Sequence, residues 1–492
     1  MIDRRAVMAG LAAGLAAPAH AAPDTRRGDL DAALDAGLRD PAAGLRALAR
    51  FDADALAPAA RLDLVTARAG LAIDAQIARR FPAGRPGRSP YRVTPRTGAW
   101  QSARRDAAAI DRDSALLAAD RRAGVILPRS AIDRTLAALD DAAAHASPPV
   151  AAALARQHAT LATMRGVAPE LPGLSRLRDG AALYTMYLRR SCGSDVEPVA
   201  ALARLQRERD VLLARADRLF ARIGLCGGAI GTRFSALWHD PRWLYPDSDA
   251  GRVQAVADMN RQIADARSRI RATFGDTPIF AGQASVRALS PEDVAAGKQG
   301  FREAPAPDHP GVYVVDLADI RRRPAWTLPS VVAHELLPGH LLQLGIEGQA
   351  PPHPLRTEYA AAFVEGWGIH AETLAPYRDT RAALGHLHWL LFRVGRAIVD
   401  LGIHLRGWTV AQARGALVAW QGEPAYFAPF DMELDRIALE PGSRAGEALA
   451  WLAIADALRG TAGATRIARH RAILFDGRKR TETIAAIARN TP

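Results

Sequence analysis

The protein has 492 residues, 49% of them hydrophobic and only 6% aromatic, enough chain and apolar content to bury a large core, which excludes a disordered polypeptide. The formal net charge is +12, yet Lys occurs only at positions 298 and 479, and the arginines are scattered, often beside acids as in Arg207-Glu208-Arg209-Asp210. That pattern gives solvated helix faces, not the basic stripe of a nucleic-acid binder, so no nucleic-acid partner is expected.

The chain opens with Arg4-Arg5, an apolar run from Ala6 to Ala17, and Pro18-Ala19-His20-Ala21. A basic start, a short apolar segment and an A-x-A cleavage pattern resemble a twin-arginine export signal over residues 1–21. The run is too short for a stable bilayer anchor. The expectation is a periplasmic or secreted protein, with residues 22–492 forming one mature domain. Two cysteines, Cys192 and Cys226, make no disulfide framework; they either pair or remain buried free thiols.

Ala-rich and Arg-rich sequence from about residue 28 to 165 reads as helix, with turns at residues 82–87 and 147–149. Residues 165–180 form a Pro/Gly-bearing connector. A long helix is predicted from Pro198 to Ile223, with Val199, Leu202, Leu205, Leu212, Leu213 and Ala216 on one face. Gly227 to Gly231 reads as a turn and not a phosphate loop, because no Lys-Ser/Thr follows it. Val253 to Phe274 is a further helix. The segment 275–330 changes character: Pro278-Ile279-Phe280 and Gly311 to Asp316 read as short strands. Helix resumes from about Leu328 to the end. The fold class is therefore mainly α, one large helical domain with a small β element near residues 275–320.

The chemistry concentrates in Val331-Val332-Ala333-His334-Glu335-Leu336-Leu337-Pro338-Gly339-His340. A His-Glu pair in an apolar helical run is the first half of a zinc-peptidase motif, in which two histidines one turn apart hold the metal and the Glu acts on water. The usual second position, 338, is Pro. His340 lies six residues after His334, about 120° round an ideal helix, so one straight helix cannot aim both at a single ion. Pro338 removes an amide hydrogen and clashes with the preceding turn, and Gly339 adds freedom, so a kink there brings His340 back over His334. Downstream, Glu365 and Glu372 are seven residues apart and share a helix face. Either serves as the third ligand of a His-His-Glu zinc site, leaving the other to orient a ligand histidine. His370 borders them as an alternative ligand or supporting residue. Carboxylates set in such apolar sequence need a partner or a metal.

His-Glu-x-x-Pro-Gly-His-x-x-Gln from His334 to Gln343, followed by Glu365-Gly366-Trp367 and Ala371-Glu372, resembles the bacterial domain-of-unknown-function family 885, which is similar to gluzincin-type zinc peptidases of mainly helical fold. Gly311-Val312-Tyr313, the run from Arg396 to Trp408, Pro441-Gly442 and the segment around His470 and Leu474 extend the resemblance over roughly residues 160–485. It implies Zn²⁺ held by His334, His340 and Glu365, with Glu335 as general base. The sequence departs from the family at Leu341 and His370. It also lacks the family's Gln and the Tyr-Lys pair that follows it after Pro441-Gly442, where Ser443, Glu447 and Ala448, or with a short insertion Glu447, Trp451 and Leu452, stand. The implied function is an exported zinc hydrolase acting on a peptide or small amide. His404, His370, Tyr426 and Arg436 are candidates for an oxyanion donor or a clamp on a peptide terminus. Two alternatives stay open: an inactive zinc-fold envelope binding protein, and a zinc hydrolase of non-peptide amides or esters.

Overall fold

The computed structural model describes residues 25–81, 85–170 and 173–490. The export signal expected over residues 1–21 lies outside them. The fold is mainly helical with one small sheet, as the sequence predicts. No helix among the described residues is long and apolar enough to cross a membrane.

The organising element is the 27-residue helix Thr380–Arg406, in which every residue from Leu384 to His404 is buried. A helix buried on all sides must be covered by other elements. Pro198–Arg222, Leu328–Glu335, Val410–Gln421, Phe430–Leu439 and Ser443–Leu458 all pack on it. Asp379 caps its start, accepting from Arg381 N and Ala382 N, and Gly407 ends it in the left-handed region. One apolar cluster fills the space between this helix, Gly180–Ser191, Pro198–Arg222 and Ser443–Leu458. A second joins Asp249–Phe274 to the sheet and the helices that follow it.

The sheet contains β1 (Ala284–Ala288), β2 (Phe301–Glu303) and β3 (Gly311–Val315), in the order β1-β3-β2. β1 runs parallel and β2 antiparallel to β3, and Arg302 lies opposite Tyr313. Pro278-Ile279-Phe280 is not a strand: Ile279–Gly282 forms a 3₁₀ turn, entered through Pro278 at φ −54°. β2 escapes prediction because its three residues are exposed and show no apolar alternation.

Other expectations need smaller corrections. The long helix ends at Arg222, and Val199 is 65% exposed instead of joining the core face. The Val253 helix begins four residues earlier, at Asp249, where Ser248 Oγ accepts from Gly251 N. Cys192 is buried and Cys226 exposed, and both are free thiols, so they are neither a pair nor two buried groups.

Within the central helix, Asp400 is buried and accepts from Tyr184 OH, Gly442 N and Ala445 N at 3.1, 3.0 and 3.0 Å. Burial outweighs these donors and pushes its carboxyl up to about 7. The folded protein therefore keeps a proton that the unfolded chain releases near pH 4. The resulting stabilisation is complete below that pH and disappears as pH rises through 7, a change of up to roughly 4 kcal/mol. Asp400→Asn cannot titrate. The melting-temperature gap between wild type and this variant should narrow as pH rises from about 4 to about 7; a gap independent of pH would show that Asp400 is ionised throughout.

Candidate metal centre

The helix Leu328–Glu335 carries His334 and Glu335 in its last turn. It ends there because the next residues do not continue it: Leu336 leaves the helical region, Pro338 has no amide hydrogen to donate, and Gly339 sits at φ −78° and ψ −132°. A new helix, His340–Glu347, then starts, with Gln343 N bonding to Gly339 O. Trp367 Nε1 donates to Pro338 O at 3.0 Å and pins the turn to the helix Ala362–Glu372. The predicted break at Pro338-Gly339 is thus what folds His340 back over His334.

The two imidazoles meet edge to face, with their Nε2 atoms 3.1 Å apart. Glu365, from Ala362–Glu372, places Oε2 at 3.5 Å from His334 Nε2 and Oε1 at 3.6 Å from His340 Nε2. Glu372, two turns further on, meets His334 Nδ1 at 2.8 Å. An ionised carboxylate only accepts, so Nδ1 carries the hydrogen and Nε2 turns its lone pair towards the other donors. Gly368 makes room: a Cβ there would lie 2.5 Å from His334 Cε1.

This donor set fits a metal. Three ligand atoms, from His334, His340 and Glu365, lie within 4.8 Å of one another. Nitrogen and oxygen atoms bound at the usual zinc distances around a tetrahedral ion stand about 3.3 Å apart, and the three separations above bracket that figure. The carboxylate behind His334 is the support that metal-bound histidines ordinarily have.

The electrostatics agree. Burial alone would raise the carboxyl of Glu365, but the adjoining imidazoles of His334 and His340 and the charge of Arg393 hold it well below the usual range. Burial, reinforced by Arg302, lowers His340 to about 4. His334 moves the other way: burial opposes its charge, and Glu365 and Glu372 outweigh that and raise it. Two facing imidazoles cannot both be protonated, so opposite shifts are the expected outcome.

Glu335 stands beside the donors without belonging to them. Its Oε2 bonds to Arg302 NH1 from β2. Burial would push its carboxyl up, but Arg302 holds it below the ordinary value. On the central helix, buried Arg393 directs NH2 at His334 Nε2, 3.2 Å away, and NH1 at Glu365 Oε2, 3.3 Å away. The sequence reading singled out neither arginine.

A family model of bacterial proteins of unknown function, DUF885, matches residues 87–466. The chain belongs to the DUF885 family. The match starts upstream of the residues in which the resemblance is legible and stops before His470 and Leu474. No curated protein matches the sequence. Two solved structures share the fold of this DUF885 protein. A "putative lipoprotein" from Colwellia psychrerythraea has a TM-score of 0.72 at 19% identity, with 94% of this chain and 90% of that chain covered. A "putative lipoprotein of unknown function" from Shewanella oneidensis has a TM-score of 0.65 at 15% identity, with 94% and 92% covered.

The remaining candidates in this DUF885 chain separate clearly. Tyr426 and Arg436 line a cavity of about 600 Å³ together with Glu335, Arg302, Tyr313 and Phe427. Tyr426 OH is 3.3 Å from Tyr313 OH, and the Arg323 guanidinium stacks on the Tyr426 ring. A second cavity of about 430 Å³ reaches Glu365 from another side and shares Arg302 and Leu344 with the first. His404 is in neither. It is wholly buried, accepts from Leu174 N at 3.1 Å, bonds to Ile437 O at 2.9 Å and stacks on Tyr184. With both ring nitrogens engaged by backbone, it ties helices together. His370 also leaves the site: its Nε2 faces His470 Nε2 at 3.1 Å, beside Trp367.

Proposed function

We propose that this DUF885 protein is an exported zinc-dependent hydrolase that cleaves peptide bonds. The observation that carries the reading is the His334–His340–Glu365 donor triad with Glu335 next to it and Glu372 behind it. Zn²⁺ bound to the triad would supply Lewis-acid activation of water and of a carbonyl oxygen. Glu335 takes the proton from the attacking water and returns it to the leaving amine. Arg302 keeps Glu335 ionised and therefore ready to accept that proton. Glu372 fixes the tautomer and direction of His334. The hydroxyl of Tyr426, on the wall of a small pocket shared with His334 and Glu335, is the donor available to negative charge on the substrate oxygen. Aromatic walls at Tyr313, Tyr426 and Phe427 suit a peptide side chain better than a small ester.

The lipoprotein descriptions of both fold neighbours support export, as does the twin-arginine pattern at Arg4-Arg5.

Elemental analysis of purified mature protein tests the metal reading. About one zinc per chain is expected in wild type, as for a three-ligand catalytic site. The metal should be lost in both His334→Ala and Glu365→Ala, with the fold retained by circular dichroism. Folded wild type that takes up no zinc on reconstitution would leave a binding protein with a zinc-site shell. A peptide and ester panel, with and without chelator, separates peptidase from esterase.

A further inference from the structure

We infer that Arg436 anchors a carboxylate of the substrate, so that this protein selects peptides presenting an acidic group to the cavity beside Glu335. The inference rests on the peptidase reading for its substrate, but its physical basis lies in a different set of residues.

Behind the cavity wall lies a buried ion cluster. Arg396 pairs with Glu447 at 2.6 Å and with Glu433 at 3.5 Å. Arg444 pairs with Glu433 at 2.8 Å and with Glu447 at 2.6 Å. Arg436 approaches the same Glu433 at 3.7 Å. Three guanidinium groups therefore share two carboxylates, which leaves one positive charge in excess. The adjacent Asp435 is taken by Arg134 and Ser130, and Glu440 is directed to Arg96. Arg396 and Arg444 both sit on Glu433 Oε1, while Arg436 faces Oε2 only at 3.7 Å, beyond hydrogen-bond reach, so Arg436 is the least satisfied of the three cations.

Arg436 is also the member of the cluster that can reach a ligand. Its side chain keeps 25% of its exposure, against 4% for Arg396 and 14% for Arg444. It lines the same cavity as Glu335. Among the described residues its guanidinium makes no hydrogen bond, although a guanidinium offers five donors. The other cation of that cavity, Arg302, is bound to Glu335. Of the cavity's acids, Glu335 is thus occupied, and Asp316 accepts from its own loop at Ala318 N. A half-buried guanidinium with unused donors and surplus charge is completed by an incoming anion, and a carboxylate fits its fork in two-pronged fashion. The peptide can supply that carboxylate from its C-terminus or from an Asp or Glu side chain.

The experiment is equilibrium binding to the zinc-loaded Glu335→Gln protein, which does not depend on turnover. The probes are fluorescein-labelled Ala-Phe-Ala-Ala as free acid and as amide, and the amides of Ala-Phe-Glu-Ala and Ala-Phe-Gln-Ala. One acidic member should bind at least about tenfold more tightly than its neutral partner, the factor carried by a charge-assisted hydrogen bond. Which member does so identifies the source of the carboxylate. Adding Arg436→Gln should remove that preference while leaving the neutral probe within about twofold, and Arg436→Lys should restore part of it. Equal binding of acid and neutral probes overturns the inference, and so does an Arg436→Gln protein that weakens both alike. If Arg436→Gln does not fold, the probe pairs on the parent protein decide alone. Acid-selective binding without any hydrolysis by wild type would sink the peptidase reading and leave the anchor standing.

Discussion

Glu335→Gln is expected to lower kcat by about 10²–10⁴-fold, the usual contribution of a positioned general base, while zinc content stays at the wild-type level. The separation of the two effects follows from geometry. The three donor atoms come from His334, His340 and Glu365, and Glu335 is outside that set. Its carboxylate turns instead to Arg302 and lines the larger cavity. Gln has nearly the same shape and keeps a carbonyl oxygen for Arg302, so local packing should survive. It has no basic oxygen at neutral pH, so proton removal from water loses its acceptor. Because Arg302 holds Glu335 below the ordinary carboxylate range, the wild-type carboxylate is ionised throughout the neutral region, and a Gln variant that kept wild-type kcat would show that the proton goes elsewhere. Loss of zinc together with activity would instead make Glu335 a ligand. The assay pairs steady-state kinetics on a fluorogenic peptide with metal analysis of the same preparation.

The site was legible where a local rule was broken for a reason. Pro338 and Gly339 interrupt an apolar helix between two histidines whose spacing does not suit a straight helix, and the structure uses that interruption to join them. The seven-residue interval between Glu365 and Glu372 was legible for the opposite reason, since an unbroken helix presents both on one side. Which one faces the donors could not be read from spacing, because it depends on how Ala362–Glu372 is rotated against Leu328–Glu335. Arg302 and Arg393 were not legible. Each meets its partner across many residues of chain, and arginine is so common in this sequence that position alone carries no signal. His404 and His370 erred in the other direction. A histidine in a motif-rich stretch looks chemical, but in a helix as thoroughly buried as Thr380–Arg406 its two ring nitrogens also serve to satisfy neighbouring backbone, and that is how His404 is used. The helices were readable from periodicity. β2, three exposed residues that exist only through pairing with β3, was not.

Gly339→Ala is expected to cost about 1–3 kcal/mol of stability and to weaken zinc binding by about 10–100-fold. A Cβ at this position would stand 1.9 Å from His334 O and 2.4 Å from Ala333 O. Both obstacles are backbone carbonyls of the last helical turn before the break, so no side-chain rotation relieves the contact. The turn must open instead, and opening it moves His340 away from His334, whose Nε2 atoms are only 3.1 Å apart. Separating two of three ligands should harm metal affinity more than it harms the fold, because the helices on either side retain their own packing against the core. Gly415→Ala is the matched control. It lies inside the helix Val410–Gln421, and a Cβ there meets nothing within 4 Å. Removing a mid-helix glycine at such a place should add about 0.5–1 kcal/mol. Thermal melts of apo and zinc-loaded protein, with a competitive chelator titration, measure both effects. A Gly339→Ala protein that melts and binds zinc like wild type would mean that the Pro338-Gly339 turn does not set the distance between the two histidines.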